Sequence, residues 1–597
     1  MSNTSKLVGG SFLFADTPTK DVFIPEEFTQ EQHMIFNTVK DFMLQEVHGL
    51  GIGRVASLDA EKDKALVLDI FKKASELGLS GVSIDEQFGG LGLDFNTSLY
   101  YTEGLALGFS FATTIGCQTS IGSLPIQWYG TEAQKAKYLP KIASGEHGCS
   151  YCLTEPGSGS DANSGKTRAV LNEAGTHYVL NGQKMWITNG GFAEIFTVFA
   201  KIGDDEKLSA FIVEKSFGGI EIGKEEKKMG IKASSTVPVY FMNCQVPVEN
   251  LLGERGKGFN MALNILNSGR IKIAAGGVGG MKFGLEKMVR YATERIQFNK
   301  PIGDFGAMKQ KIGRIASTAF ALESGVYRVG ADVDKKHDEL KKAGSSYNDA
   351  KINAMREYAI ECALLKVQGS EAMCNAADEA IQLFGGMGYS METGVEMAYR
   401  DARITKIYEG TNEINRMLAL AEFYKRAFVS KELNIGAAKS TIPSAIFQSL
   451  NPFGGSGLDR EFGLVNNLKA LFVILTGAAG NKLKSKLVDE QEIVMNLADI
   501  LGLAFTAESA FLRIKKLNEN STTDKAQLSI KTKMAQLYLY DALDAARKAA
   551  NNVLDSYASG AEKWALCKVC NILLPTYHIN PKDTCRAIAD DLLRRVG

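Results

Sequence analysis

A single carboxylate stands at the point of this sequence that is best suited to proton chemistry. The segment Ile407-Tyr408-Glu409-Gly410-Thr411 follows a helix-like stretch that ends in basic residues, and it places Glu409 on a turn. Because glycine lets a ligand approach the backbone closely, the amide hydrogens beside Glu409 can meet a substrate oxygen while the carboxylate faces the adjacent carbon. The alternative is a surface glutamate in a helix-capping turn. The neighbouring segments 382–389 and 400–403 favour a catalytic base.

A second segment has the composition of a cofactor loop. Residues 151–161, YCLTEPGSGSD, run from a strand into small residues that offer hydroxyls and free backbone amides. Such a loop can hydrogen-bond a flat heteroaromatic ring and cradle phosphate oxygens. It is not a Rossmann fingerprint, because Gly157 and Gly159 lack a third glycine and no helical pattern opens there. A solvent-exposed serine-glycine loop is the alternative reading.

A third segment, residues 184–191, supplies an aromatic wall. Trp186 lies two residues before Thr188 at a predicted strand end, so a stacking surface and a hydroxyl donor are close together. Taken alone, Trp186 is better explained by packing in a core. Together with the loop at 151–161, the segment indicates a site for a flat heteroaromatic ring.

These segments resemble the acyl-CoA dehydrogenase family of flavoenzymes. The resemblance lies in YCLTEPGSGSD, in the GGxGY, RDxR and YEGT elements of residues 385–411, and in the Arg295-Ile296-Gln297-Phe298 element, and it extends from about Phe23 to Lys425. Residues 225–234 and 265–270, and the helical extension, are similar to the very-long-chain branch. The implied cofactor is FAD.

The resemblance implies a role for each matched position. The flavin and its pyrophosphate would contact Tyr151, Leu153, Thr154, Gly159 and Ser160, and its ring would contact Trp186, Ile187 and Thr188, with Thr188 near N5. The FAD of a partner subunit would contact Arg295, Phe298, Gln382, Gly385 and Gly386, while Thr411 and Glu413 would close over the cofactor that serves their own Glu409. The acyl-CoA would contact Ser160, Asn267, Arg270 and Gly410.

Glu409 matches the base of the family. In some branches the base precedes the arginine that matches Arg270, but that position is Gly269 here, which cannot accept a proton. The implied reaction removes the α-proton of a thioester and transfers the β-hydride to flavin N5, with the Glu409 amide and a ribityl hydroxyl stabilising the enolate. Desolvation by the acyl chain is expected to raise the carboxylate pKa. Arg400 and Arg403 are expected to be helix-terminal ion-pair partners.

The elements that must position these residues divide the chain. We predict a multidomain α+β fold of the acyl-CoA dehydrogenase type: an N-terminal α-helical domain, a middle antiparallel β-barrel or sandwich domain, a C-terminal four-helix bundle and an extra helical C-terminal domain. A capping box at Thr29 and Gln32 opens the helical pattern, and Asn-Gly, Gly-Gly and Asp-Asp pairs bound the predicted strands. The boundaries are 1–24 for an arm, 25–148, 149–259, 260–430, 431–460 for a linker containing Pro443, Pro452 and Gly454–Gly457, and 461–597.

Composition excludes several classes of function. The 597 residues contain 68 basic and 68 acidic side chains, so nothing attracts polyanions over the whole surface and no nucleic-acid partner is expected.

The pairs Cys149/Cys152 and Cys567/Cys570 have no histidine at metal-ligand spacing; we interpret them as small buried residues and expect no metal. Nine scattered cysteines and a charged N-terminus without a continuous apolar run predict a cytoplasmic location.

The extension contains one strongly apolar run, Leu471-Phe472-Val473-Ile474-Leu475, followed by Lys482, Lys484 and Lys486. The run is too short to span a bilayer. An interfacial helix in peripheral contact with a membrane is one interpretation, as is thought for the very-long-chain branch. A buried core helix is the favoured one.

The sequence thus predicts an FAD-dependent dehydrogenase of long-chain acyl-CoA, homodimeric by resemblance, that passes electrons to an electron-transfer flavoprotein. An acyl-CoA oxidase that uses O₂ shares the fold and is one alternative. A non-catalytic assembly protein on the same fold is another, and retention of Glu409, Thr154, Trp186 and Thr188 argues against it. Asn299 and the pair Phe305-Gly306 depart from the family pattern on the adenine side of the cofactor.

Overall fold

The N-terminal part of the chain is helical, as its periodicity predicts. A computed structural model describes residues 8–48, 64–437, 442–443, 445 and 458–596. Thr29 caps the first helix: its hydroxyl accepts from the Gln32 amide, and the Gln32 side chain accepts from the Thr29 amide. The helices are α1 Gln30–Phe42, α2 Lys64–Glu76, α3 Phe95–Leu105, α4 Ser110–Gln118, α5 Leu124–Tyr129 and α6 Glu132–Ala143.

The middle part forms one eight-stranded sheet. Its strands are β1 Cys149–Cys152, β2 Arg168–Leu171, β3 His177–Thr188, β4 Ile195–Ile202, β5 Leu208–Glu214, β6 Ile220–Ile222, β7 Thr236–Pro247 and β8 Leu251–Leu252. Most neighbours are antiparallel, but β1 and β2 both pair with β4 in parallel. Buried Phe196 of β4, Phe211 of β5 and Phe241 of β7 share one core, so the sheet curls over that core.

One predicted turn is wrong. Asn181-Gly182 lies inside β3, where the sequence places a strand boundary. The register of β3 against β7 shifts between Leu180 and Gly182, so the pair marks an irregularity of the strand. A side chain at Gly182 would collide with Thr167, because a Cβ there would lie 2.5 Å from its Oγ1. Glycine is therefore needed where β3 approaches Thr167, the residue before β2.

The following helices form the predicted bundle. They are α7 Gly258–Glu294, α8 Gly306–Lys342, α9 Tyr347–Glu357, α10 Ala359–Phe384, α11 Gly386–Tyr389, α12 Val395–Ala402 and α13 Asn412–Tyr424, and a short hairpin of β9 Ile296–Gln297 and β10 Lys300–Pro301 joins α7 to α8. Helices α7, α8, α10 and α13 pack together. The backbones of α7 and α10 nearly touch, since a Cβ on Gly277 would lie 2.9 Å from the Gly369 carbonyl oxygen.

The extension consists of α14 Asp459–Leu483, α15 Gln491–Glu519, α16 Lys525–Tyr557, α17 Gly560–Leu573 and α18 Pro581–Val596. Its helices share a core with the bundle. Helices α14 and α15 are long and apolar enough to cross a membrane, but 61% and 78% of their apolar windows are buried inside the protein. Leu471, Phe472 and Leu475 are fully buried, which confirms the core-helix interpretation. Of the predicted linker, Pro452 and Gly454–Gly457 lie outside the described residues.

Candidate active site

Glu409 lies on a backbone turn that few residues adopt. Its φ is 59° and that of Gly410 is 79°, so two consecutive residues are left-handed. For a residue other than glycine this conformation costs about 1 to 3 kcal/mol and persists only where the surroundings enforce it. The turn connects a 3-10 helix, Arg403–Lys406, to the start of α13.

Buried polar side chains enforce this turn. The Asn415 amide donates to the carbonyl oxygens of Glu409, Gly410 and Thr411 at 3.3, 2.7 and 3.0 Å. Lys366 of α10 donates to the Gly410 carbonyl at 2.8 Å, and Arg270 of α7 donates to the Glu409 carbonyl at 3.3 Å. Three elements therefore hold one short loop, and its carbonyl oxygens stay satisfied while the Glu409 side chain points elsewhere.

The Glu409 carboxylate lies against α7 at Gly269. A Cβ on Gly269 would be 2.7 Å from Glu409 Oε2 and 2.8 Å from its Cδ, so only glycine leaves room there. Oε2 is buried and has no hydrogen-bond partner among the described residues. Burial raises the pKa of Glu409 to about 7, although the charges of Arg270 and Lys366 act to lower it. A carboxylate deprived of hydrogen bonds is a stronger base than one in water.

The carboxylate faces a cavity of about 300 Å³. One wall is α7, another is α10, and a third comes from the region of α3 and α4. The lining is mostly small or apolar; on α7 it includes Gly269, Ile273, Gly276, Gly280 and Gly284, and on α10 it includes Met373, Ala376, Ala377, Ala380 and Phe384. From Gly269 to Gly284 the helix rises about 22 Å. The cavity is thus a tunnel that accepts an apolar chain and ends at a base.

The residues predicted to hold the flavin ring converge at the ends of β1 and β3. The Met185 amide donates to the Thr154 carbonyl at 2.9 Å, and Ser150 Oγ donates to the Thr188 carbonyl at 2.8 Å. Thr188 also lines the tunnel. Trp186 has a φ of 61° and remains 52% exposed, which leaves its indole face open.

The neighbouring loop fits a bulky cofactor. Cβ atoms on Gly157 or Gly159 would meet nothing within 4 Å, so the loop borders open space. Ser160 is exposed at the same loop. Tyr151 is buried, and its hydroxyl has no hydrogen-bond partner in the described chain. An open cradle beside an exposed indole is what a flavin and its pyrophosphate need.

Glu155 was missed by sequence reasoning although it organises this loop. It accepts from Lys184 Nζ at 2.7 Å, and from the amides of Lys166 and Thr167 at 2.6 and 3.1 Å. Lys184 in turn donates to the Leu153 carbonyl at 3.1 Å. The only available signal was an acidic residue inside a loop otherwise made of small residues.

The remaining predicted site residues lie in three places: at one end of the bundle, at the start of α13 and beside the Glu409 turn. Arg295, Phe298, Gln382, Gly385 and Gly386 lie at one end of the bundle, outside the tunnel, where α7 and α10 end and the rings of Tyr291 and Phe384 stack at 4.1 Å. Thr411 caps α13 by accepting from the Ile414 amide, and Glu413 lies in the first turn of that helix.

Asn267 and Arg270 bond to each other at 2.6 Å beside the carboxylate. Arg270 is 2% exposed, so its contacts in the described chain are internal. Arg400 forms the predicted helix ion pair, with Glu396 at 2.6 Å.

Comparisons with known proteins identify the family of this chain. The descriptions "Acyl-CoA dehydrogenase, N-terminal domain", "middle domain" and "C-terminal domain" match residues 29–146, 150–244 and 256–423. A further acyl-CoA dehydrogenase C-terminal description matches residues 467–570. A "Probable acyl-CoA dehydrogenase" of Bacillus subtilis is 44% identical over 87% of this chain and 86% of its own length.

Two further relatives add detail. The mitochondrial very long-chain specific acyl-CoA dehydrogenase of Macaca fascicularis is 43% identical over 64% of this chain and 55% of its own length. The crystal structure of an acyl-CoA dehydrogenase complexed with FAD from Bacillus anthracis is 39% identical, covers 99% of both chains and has a TM-score of 0.93. The tunnel, the cradle and these matches lead to one conclusion: the chain belongs to the acyl-CoA dehydrogenase family, whose members are FAD-dependent oxidoreductases.

Proposed function

We propose that this protein oxidises long-chain fatty acyl-CoA to trans-2-enoyl-CoA, the first step of fatty acid β-oxidation, with Glu409 as the base that removes the α-proton. One observation carries the proposal: a buried carboxylate oxygen without a hydrogen-bond partner among the described residues lies at the end of an apolar tunnel. FAD supplies the acceptor for the hydride that leaves the β-carbon. Its binding residues, in this proposal, are those at the ends of β1 and β3.

Two features of the site favour proton removal: one strengthens the base, and the other stabilises the enolate. The α-proton of a thioester is far too weakly acidic for a carboxylate in water, so both the base and the enolate need help. Burial raises the pKa of Glu409 to about 7, which strengthens the base yet leaves a large ionised fraction near neutral pH. The Glu409 amide has no acceptor within the described chain and is free to donate to the thioester oxygen, where the negative charge develops.

The long-chain specificity in this proposal rests on the tunnel wall. Cβ atoms on Gly116, Gly276 and Gly284 would meet nothing within 4 Å, so these lining positions keep the bore open. The wall on α7 extends about 22 Å from Gly269 to Gly284. A very long-chain specific relative supports the same assignment.

The proposed partners are a second copy of the chain and an electron-transfer flavoprotein. Phe298 is 88% exposed and Tyr389 is 85% exposed at the end of the bundle that carries the residues assigned to the partner's FAD. Exposed aromatic rings of this kind are frequent at protein interfaces. We place the enzyme in a reducing, cytoplasmic compartment, since all nine cysteines are free thiols. Any membrane contact through the extension must use residues other than the buried Leu471, Phe472 and Leu475.

Anaerobic addition of palmitoyl-CoA to the FAD-loaded protein tests the proposal. We expect the flavin absorbance to bleach and trans-2-hexadecenoyl-CoA to form, and a chain-length series of kcat/KM should favour long chains. Glu409→Gln serves as the control, because it keeps the shape of the side chain and removes the base. FAD that stays unbleached in the parent protein would overturn the assignment. Peroxide release in air would show an oxidase instead.

A further inference from the structure

One buried lysine in the tunnel has no role in the reaction proposed above. Lys272 lines the tunnel on α7, one helical turn after Gly269, and it is 8% exposed. Its Nζ donates to the Thr119 carbonyl at 3.2 Å, and it forms no ion pair within the described residues. Burial lowers the pKa of Lys272 to about 8. An ammonium group has three donors, so most of its hydrogen-bonding capacity is unused.

A second polar group lies beside it. Ser120 follows Thr119 in sequence, lines the same tunnel and is 6% exposed. Its Oγ has no hydrogen-bond partner in the part of the chain that the structure describes. A saturated acyl chain satisfies neither group and leaves both desolvated, which is unfavourable for binding.

Part of this arrangement has a structural explanation. Thr119 is the C-cap of α4, and a lysine at a helix C-terminus bonds to the last carbonyl oxygens and interacts favourably with the helix dipole. That role accounts for one of the three donors of Lys272. It does not account for the tunnel-facing position of the lysine or for the Ser120 hydroxyl, which lacks a partner among the described residues.

We propose that the first turn of the tunnel beyond Glu409 binds an oxygen atom carried by the acyl chain, with Lys272 and Ser120 as the hydrogen-bonding groups. The preferred substrates are then acyl-CoA thioesters with a hydroxyl or keto group in the first half of the chain. Lys272 lies about 4.5 Å beyond Gly269 along α7, so the oxygen belongs a few carbons past the reacting pair. The inference rests on the proposed dehydrogenation, because it concerns the substrate of that same tunnel.

The test compares palmitoyl-CoA with hydroxypalmitoyl-CoA isomers, each with one hydroxyl group, placed at about carbons 5 to 8 or at the terminal carbon. For the parent enzyme we expect kcat/KM to be at least about tenfold higher for the best internal isomer than for the terminal isomer, since a site built for a polar group discriminates strongly. Lys272→Met should abolish this ratio. Ser120→Ala, which removes one oxygen atom, should reduce it.

Lys287 provides a matched control. It also lines the tunnel, fifteen residues further along α7, where its Nζ lies 4.9 Å from the centre of the Phe283 ring. Lys287→Met should leave the preference for the internal hydroxyl unchanged. Equal kcat/KM values for all isomers in the parent enzyme would overturn the proposal. An unchanged substrate ratio in Lys272→Met with a lower melting temperature would do so as well, and would leave the lysine as a helix cap only. Flavin bleaching by palmitoyl-CoA, recorded in the same experiments, shows separately whether dehydrogenation itself occurs.

Discussion

Two groups of charges around buried carboxylates lie in the helical parts of this protein, and they differ in how the carboxylates are paired. The base cluster consists of Glu409, Arg270 and Lys366, and no cation lies within ion-pair distance of the Glu409 carboxylate among the described residues. The ion-pair network has a direct partner for each charge: Lys282 contacts Glu103 at 2.6 Å and Glu323 at 2.7 Å, and Arg513 contacts Glu323 at 2.6 Å and Glu26 at 2.8 Å.

The two clusters show what pairing does to a buried acid. Burial raises the pKa of a carboxyl group in either place. For Glu323 the two adjacent cations, Lys282 and Arg513, outweigh burial, so its pKa lies below the usual value. For Glu103, which pairs with Lys282 alone, burial still raises the pKa.

For Glu409 the cations donate instead to backbone carbonyls of the turn and to the side chains of Asn267 and Asn412. The pKa of Glu409 therefore lies above the usual value. The ion-pair network joins helices α3, α7, α8 and α15. The Glu409 carboxylate of the base cluster has an oxygen without a hydrogen-bond partner among the described residues, so it can accept a proton.

Removal of the carboxylate should have the largest effect on activity. Glu409→Gln is expected to lower kcat with palmitoyl-CoA by at least about 10³-fold, because the amide cannot accept the α-proton. FAD content and melting temperature should be retained, since the amide is easier to bury than the acid. The control is Glu323→Gln, which removes a buried carboxylate from the ion-pair network and should leave kcat within about twofold. A kcat for Glu409→Gln within about tenfold of the parent value would refute the assignment of the base.

Breaking the ion-pair network should affect stability and leave the chemistry intact. Arg513→Met removes the partner that Glu323 and Glu26 share, while Glu323 keeps Lys282 and Glu26 keeps Lys531. Removal of one partner from a buried ion pair costs about 3 to 5 kcal/mol, and the remaining pairs place the expected cost at the lower end of that range. We expect a large fall in melting temperature together with an unchanged kcat at low temperature. Arg255→Met is the matched control: it breaks the Arg255–Asp205 pair, in which Arg255 is 56% exposed, and such a surface pair contributes less than about 1 kcal/mol. Equal melting temperatures for the two variants would contradict the contrast.

The sequence singles out Glu409 as a candidate base, but it does not reveal the residues that hold the turn of Glu409 in place. Glu409 was recognisable because tyrosine, glutamate, glycine and threonine are adjacent in the chain. Lys366 binds the same turn from 44 residues away, and Arg513 reaches Glu323 across 190 residues, so no local pattern reveals either contact. The bore of the tunnel depends on how closely α7 approaches α10, which only the packed structure shows. The predicted turn at Asn181-Gly182 was wrong for the converse reason. The pair is typical of a turn, but the residues on both sides of it pair with β7 and continue one long strand.

A methyl group at Gly269 should disturb the base without disturbing the fold. In Gly269→Ala the new Cβ would meet Glu409 Oε2 at 2.7 Å, so the carboxylate must move. A displacement of that kind costs about 10- to 100-fold in kcat, while alanine in a helix adds up to about 1 kcal/mol of stability. Gly477→Ala is the control: it lies in α14, outside the tunnel lining, and its Cβ meets nothing within 4 Å, so stability should rise with kcat unchanged. If both variants keep the parent kcat, the contact at Gly269 does not position the base.

The smallest expected effect is a displaced pH profile. For the parent enzyme, kcat/KM should rise with pH and level off above about 7, because Glu409 must be ionised to act. Lys366 lowers the pKa of Glu409, so Lys366→Met should raise it and move the acid limb upward by about one unit. Activity at pH 7 then falls but recovers by about pH 9, and Lys366→Arg restores the parent profile by restoring the charge. If Lys366 only braced the Gly410 carbonyl, its loss would lower kcat/KM equally at every pH. An equal loss of kcat/KM at every pH would therefore show that Lys366 only supports the turn. A shift of the acid limb would show that its charge controls the pKa of Glu409, which is the property that distinguishes Glu409 from the paired Glu323.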